Sequence, residues 1–508
     1  MHRMDPSAQR PGPECDVEWS LYWTDRHSSV PGGFLPLLDE WADIDDRERA
    51  LGIGRDTPIL IDPECRIDPR LALFVRRSRF TFLADETKHA YMKDYRLFFT
   101  FLHRRGKSWD GADHEDVDDY ESWRRRSADN PRRIGGSKWA RELAAFKLLY
   151  GWAAGVGYIE RSPVLTHTVR LRDGTSVEVA DNRPKDVRAS NVKWLTPRTF
   201  RLWRDIGLRG YDAKSLPEPG WRGRNDGRNA AFADLLFDSG LRLREGGCLL
   251  TLEVPSALMG QVYYEGTVAA AIAKRRERMF YVSVSALEGI AAYMATTRRA
   301  AIRRAQRQGR YERVRGRRDV TRLSRGKDAR VAWRDTLGRQ GEDPIRVLGE
   351  RERRGLFIEG DQGLEPLALW LTEGGMPMDF RSWEAVFRSA NQRCAQLGKP
   401  IIATPHTCRH SFALTMLVTL QRALDQRFGL SQEERDDLRK VYGNAFTLVK
   451  DLLGHRSEQT TREIYLEPLN GIRLNMILDG GEDLDAVLAR VAASSRLVMD
   501  VEPDEGGA

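Results

Sequence analysis

The sequence predicts a mainly α chain with a small β-sheet, an α+β fold in which a helical N-terminal domain precedes a larger C-terminal one. Three observations carry this. Apolar residues recur at helical spacing between Asp85 and Ala153. The stretch "HTVRLRDGTSVEVA" at 167–180 then alternates about an Asp173-Gly174 pair. From Trp194 to about residue 475 the pattern returns to helix, broken by short strands expected near 250–254, 261–265 and 279–284.

Residues 1–75 are rich in Pro, Gly and Asp and read as an extension with a few short elements. Tyr91, Tyr95, Phe98 and Leu102 form one face of a first helix, stopped by Arg104, Arg105 and Gly106. A second covers 114–126, with Val117, Tyr120 and Trp123 inward. A third is expected to start after Ser137 as N-cap, its stripe being Trp139, Leu143, Phe146, Tyr150 and Ala153. The hairpin leads into a linker, "DNRPKDVRAS". Thr196 and Pro197 then supply an N-cap and a first helical residue. The expected organisation is an extension at 1–78, a helical domain at 79–166, a hairpin and linker at 167–192, a large domain at 193–478 and an acidic tail at 479–508. In that tail Leu484, Val487, Leu488, Val491 and Leu497 follow helical spacing, and such a helix has two equal options, its own chain or a neighbouring copy.

Composition narrows the function classes. No apolar run reaches the ~18 residues of a membrane span, and "MHRMDPSAQRPGPECD" lacks a signal-peptide core. The cysteines Cys15, Cys65, Cys248, Cys394 and Cys408 are scattered, without a zinc or disulfide pattern, so a cytoplasmic protein is expected. "GKS" at 106–108 lacks the earlier glycine of a P-loop. Net charge is +8, yet residues 298–330 alone hold 14 basic and 3 acidic groups, and the tail from Asp479 is net −6. A basic run of this density is either a solvated face or a contact to phosphates.

The chemistry-bearing stretch is "ATPHTCRHSFAL", 403–414. Thr404 can cap a helix and Pro405 open it, which puts His406 and Arg409 on one face of the first turn, at the positive end of the helix dipole. That arrangement suits a phosphate. His410, one step further round, is expected to support the fold. A second His-x-x-Arg, His167 to Arg170, lies in the hairpin, where the two side chains point to opposite faces. Three further strings matter. "SGLRLREGG" places Arg242 after a helix-ending Gly240, beside Glu245. "AIAKRRER" puts Lys274 at a strand turn. "LLGHRSEQTTREIYLEP" holds His455 and, ten positions on, Tyr465.

Arg242, Lys274, His406, Arg409, His455 and Tyr465, in that order, resemble the tyrosine recombinase (phage integrase) family over about residues 80–470. "SKWARELAAFKLLYGWA" and "GVGYIERSPV" resemble the end of its helical core-binding domain. The resemblance implies a SAM-like core-binding domain and a catalytic domain that together form a C-shaped clamp on double-stranded DNA, with self-association to a tetramer on synapsed DNA and DNA-bending accessory proteins. It implies that Arg242 and Arg409 clamp the scissile phosphate, that His406 and His455 hydrogen-bond it, and that Lys274 protonates the departing 5′ oxygen. Tyr465 would attack phosphorus to give a 3′-phosphotyrosyl bond, with neither metal nor ATP. Glu245 would buttress Arg242, and Cys408 would be a packing residue. Tyr442 is a rival nucleophile that precedes the Gly-His pair. The spacing implies two insertions, a basic one at about 298–365 and a helical one at about 420–445. A catalytically silent DNA-binding member and a type IB-like topoisomerase are the alternative readings.

Overall fold

The computed structural model describes residues 18–24, 50, 53, 54, 56–170, 176–184, 186, 193–255, 261–273, 277–314, 316–324, 326, 329–426, 445–453, 484–494 and 497–502. Lys274, Tyr442, His455, Tyr465 and most of the expected helical insertion lie outside these residues. The chain divides into two compact units, 1–188 and 189–508. Among the described residues no helix is long and apolar enough to cross a membrane.

In the first unit β1 (Ser20–Trp23) pairs antiparallel with β2 (Pro58–Ile61), and α1 (Pro69–Arg77) is capped by Asp68. The core is made by α2 (Asp85–His103), α3 (His114–Arg125) and α4 (Gly136–Gly155). Phe98 stacks on Phe146 with centroids 4.5 Å apart and meets Tyr120 at 4.9 Å. The buried hydroxyls of Tyr95 and Tyr150 donate to the carbonyls of Ala145 and Trp109, each at 2.8 Å, as burial requires. Asp113 and Asp116 form a reciprocal cap on α3. The expected cap of α4 is corrected: Gly135, not Ser137, precedes the helix. A Cβ at Gly136 would stand 2.6 Å from Asp186 Oδ1, so the first turn is pressed against the linker and begins where no side chain intervenes. β3 (Thr166–Arg170) and β4 (Ser176–Ala180) form the antiparallel hairpin.

The second unit begins with β5 (Trp194–Leu195) and α5 (Pro197–Arg209), where Thr196 accepts from the Thr199 amide as N-cap. α6 (Asp226–Ser239), the short α7 (Leu243–Gly247), the hairpin β6 (Tyr263–Val268) with β7 (Arg278–Ser283), and α8 (Val284–Tyr293) surround an aromatic core. There Phe232 stacks on Trp383 at 3.7 Å, and Trp370 Nε1 donates to the Gly246 carbonyl at 2.8 Å. α11 (Ser382–Gln396) and α12 (Pro405–Gln426) complete it. The strand expected near 250–254 is a 3-10 turn, Thr251–Glu253, with Leu250 in an isolated bridge to Ala368.

The basic insertion is more than a charged loop. A π-helical turn at Met294–Arg298 feeds α9 (Arg299–Arg307). Then β8 (Arg318–Leu323), β9 (Arg330–Asp335), β10 (Gln340–Pro344), α10 (Glu350–Arg354), β11 (Leu356–Gly360) and β12 (Gly363–Pro366) follow, with sheet order β10-β9-β8-β11-β12. Within this sheet β8 and β11 pair in parallel and the other neighbours antiparallel. This five-stranded sheet escapes a reading by apolar alternation because β8 and β9 carry arginines on either side of Val320 and Val331, and β10 is "QGEDP". Arg318 lies over Trp333 at 4.3 Å and pairs with Asp343, and Arg322 pairs with Glu342. Two buried arginines pin the insertion to the rest of the unit. Arg298 donates to the carbonyls of Pro366, Ala368 and Leu369, and Arg353 pairs with Glu253 while donating to the Cys248 carbonyl.

Under α12 lies a second core, formed with α13 (Ala445–Leu453), α14 (Leu484–Ser494) and β13 (Val498–Met499). Val487, Leu488 and Val491 of the tail helix pack on Leu414, Leu417 and Val449, and β13 pairs in parallel with β5. Asp500 closes the cap of α5 by accepting from Thr196 at 2.6 Å. Of the two options open to the tail helix, the structure has it on its own chain.

Candidate active site

α6 ends at Gly240 in the left-handed conformation, φ 62°. A Cβ there would stand 2.3 Å from Phe412 Cδ1, so glycine serves both the turn and the close approach of α12. The turn delivers Arg242 to the N-cap of α7. Its amide donates to Glu245 Oε2 and its Nη1 to Glu245 Oε1, both at 2.8 Å. The Arg242 side chain keeps 28% of its surface exposed, while that of Glu245 keeps none.

α12 starts as its sequence suggests. Thr404 Oγ1 accepts from the Thr407 amide at 3.0 Å and Pro405 opens the helix. The first turn separates the three basic groups. His406 is exposed. Arg409 is buried and donates from Nη1 to the Gly240 carbonyl and from Nη2 to the Leu453 carbonyl. His410 is buried, and its Nε2 lies 2.8 Å from His406 Nε2. Cys408 is fully buried, and burial pushes its thiol well above the usual range, as suits a packing residue.

A third arginine joins this joint. Arg278, first residue of β7, donates from Nη2 to Glu245 Oε2 at 2.5 Å and from Nη1 to the Leu452 carbonyl at 2.8 Å. Burial by itself would raise the Glu245 carboxyl. Arg278, then Arg242 and Arg409, outweigh it and hold the group at about 2. Three guanidinium groups against one carboxylate leave a surplus of positive charge, reinforced by the N-terminus of α12. Such a surplus at low dielectric is chemically suited to an oxyanion. The sequence carried a sign of Arg278 that its motifs did not use. In "RMFYVS" Arg278 shares a strand face with Phe280 and Val282, which are buried, so an arginine on that face must find a partner inside.

The structure thus brings Arg242 and Arg409 together around Gly240, Glu245 and the end of α13, with His406 one turn from His410. Lys274, His455 and Tyr465 belong to stretches outside the described residues, although Leu453 is two positions before His455. His167 and Arg170 sit on an exposed hairpin, His167 paired with Asp181 at 2.6 Å.

Residues 80–155 match the family model "Phage integrase, N-terminal SAM-like domain". No curated protein matches the chain. Among solved structures, similarity extends to the XerH site-specific recombinase bound to palindromic difH substrate in a post-cleavage complex (11% identity over 76% of this chain and 79% of that one, TM-score 0.39). It extends also to a lambda integrase dimer bound to a COC′ core site (10%, 87% and 88%, 0.33) and to XerA recombinase (14%, 78% and 93%, 0.28). At these TM-scores no residue correspondence follows from them. The match to a phage-integrase N-terminal SAM-like domain, residues 80–155, lies within the first unit of the chain.

Proposed function

We propose that this chain is a site-specific DNA recombinase that cuts and rejoins strands through a 3′-phosphotyrosyl intermediate. The observation that carries the reading is the clustering of Arg242, Arg278 and Arg409 about Glu245, at the joint where Gly240, the first turn of α12 and the end of α13 meet. In this reading Arg242, the more exposed arginine, pairs with a non-bridging oxygen of the scissile phosphate. Arg409, its plane fixed by two carbonyls, adds a buried charge on the same group. His406 and His455 hydrogen-bond the phosphate, and Lys274 gives its proton to the departing 5′ oxygen. The Tyr465 oxygen attacks phosphorus as its own proton passes to His406. The bond energy stays in the phosphotyrosyl ester, so a 5′-hydroxyl of another strand can displace Tyr465 without further input.

Double-stranded DNA is the partner this reading requires, with a tetramer on synapsed sites and DNA-bending proteins as further expectations. α9 supplies a fitting surface. Arg299, Arg303 and Arg307 lie at i, i+4 and i+8 on its exposed face, and among the described residues none of them pairs with a carboxylate. Like charges at this spacing disfavour a helix, and phosphates would relieve them. Two arginines at the start of β8 are unlike these: Arg317, just before the strand, pairs with Asp319, and Arg318 with Asp343, inside the insertion. The test is a nicked duplex taken from the DNA flanking this chain's own gene. Wild-type protein is expected to form an adduct that survives denaturant, and Tyr465→Phe to bind the duplex without forming it. An adduct with Tyr465→Phe would refute the nucleophile. Binding without any adduct would leave a DNA-binding protein only.

A further inference from the structure

We infer that Arg278 is a positioning residue that locks Arg242 to the segment entering Gly454-His455. Its guanidinium reaches two other elements at once. One arm meets Glu245, the carboxylate that holds both the amide and the side chain of Arg242. The other meets the Leu452 carbonyl in the last turn of α13, beside the Leu453 carbonyl taken by Arg409. Cations are favoured near the C-terminal end of a helix. Two arginines thus hold consecutive carbonyls of α13. Arg278 is itself four positions after Lys274, so the same residue anchors the strand that follows the lysine turn.

Arginine is required here because a planar fork serves two divergent acceptors at fixed angles, which a lysine ammonium on a flexible stem does not. Arg278 is not placed as a phosphate ligand. Its side chain is 6% exposed, against 28% for Arg242. It therefore acts through Glu245 and α13. The inference rests on the recombinase reading only for what Arg242 and His455 do to DNA; the hydrogen bonds around Arg278 stand apart from it.

Two measurements on the full chain test this, using the nicked duplex above and, without DNA, the carboxyl titration of Glu245 by carbon NMR. In Arg278→Lys, adduct formation at saturating duplex is expected to fall about 10- to 100-fold, with the duplex Kd within about twofold of wild type. A purely structural role would lower the active fraction and leave the rate of the folded fraction unchanged. Arg278→Lys should also raise the Glu245 midpoint by about one unit or more, and further than Arg242→Lys does. An unchanged adduct rate, or a weakened Kd with the rate intact, overturns the inference. Should Arg278→Lys fail to fold, Glu245→Asp, which shortens the same link, must give the same split between rate and Kd, and its failure to do so overturns the inference equally. If wild type forms no adduct, the recombinase reading fails. The titration then decides alone: a Glu245 midpoint unmoved by Arg278→Lys overturns the inference, and a raised one upholds the link.

Discussion

Replacing Glu245 by Gln should destabilise the C-terminal unit in a way that depends on pH. Glu245 is wholly buried and titrates at about 2 rather than its usual 4.5. A carboxyl whose folded value is depressed contributes stability that is complete above the unfolded value and lost as pH falls through the folded one. The difference corresponds to about 3 kcal/mol at neutral pH, of which about 2 kcal/mol is gone by about pH 3. Glu245→Gln removes that contribution and leaves Arg278 buried without its carboxylate, a change that typically costs about 3–5 kcal/mol. Urea unfolding read by hydrogen–deuterium exchange of peptides covering 243–247 reports this unit rather than the whole chain. The gap between wild type and Glu245→Gln should be widest near pH 6 and should narrow by about 2 kcal/mol toward pH 3. A gap of constant size across that range would refute the claim that Glu245 is held ionised by its arginines.

Other substitutions probe separate parts of the account. Changing Arg299, Arg303 and Arg307 together to Gln should lower the slope of log K against log salt for duplex DNA by about 2.7, at about 0.9 per lost phosphate contact, and equally for unrelated sequences. An unchanged slope would assign that face of α9 to solvent. Gly240→Ala should cost about 2 kcal/mol or more by thermal or urea unfolding, from left-handed strain and the clash with Phe412. A neutral result would contradict the tight approach of α6 and α12.

Much of the local structure was legible because single residues decide it. Gly240 ends α6, Thr196 and Thr404 cap α5 and α12, and the stripes of α2, α3 and α4 bury the aromatic residues read from their spacing except Tyr91 and Trp123, which are half-buried. Arg242, His406 and Arg409 stood out by type and order. That Arg409 would bond to the Gly240 and Leu453 carbonyls, far apart in the chain, has no local sign. The five-stranded sheet was missed for a physical reason. Its strands are held by arginine–carboxylate pairs and by Arg318 on Trp333, so period-two hydrophobicity is faint. Arginines in the basic run looked alike, yet burial divides them: Arg298 is a bolt between carbonyls, whereas Arg299, Arg303 and Arg307 face outward. Arg278 was hidden among "KRRER", where only its strand phase with Phe280 and Val282 sets it apart.

The central claim is that Tyr465 takes the scissile phosphate, and its most direct test is the chemical identity of the trapped adduct. Wild-type protein should be reacted with the nicked duplex, digested with nuclease and protease, and sequenced by tandem mass spectrometry. The account predicts one modified peptide carrying a 3′-linked nucleotide on Tyr465. A nucleotide on Tyr442 or on any other residue, or no modified peptide from duplex that the protein demonstrably binds, would contradict it.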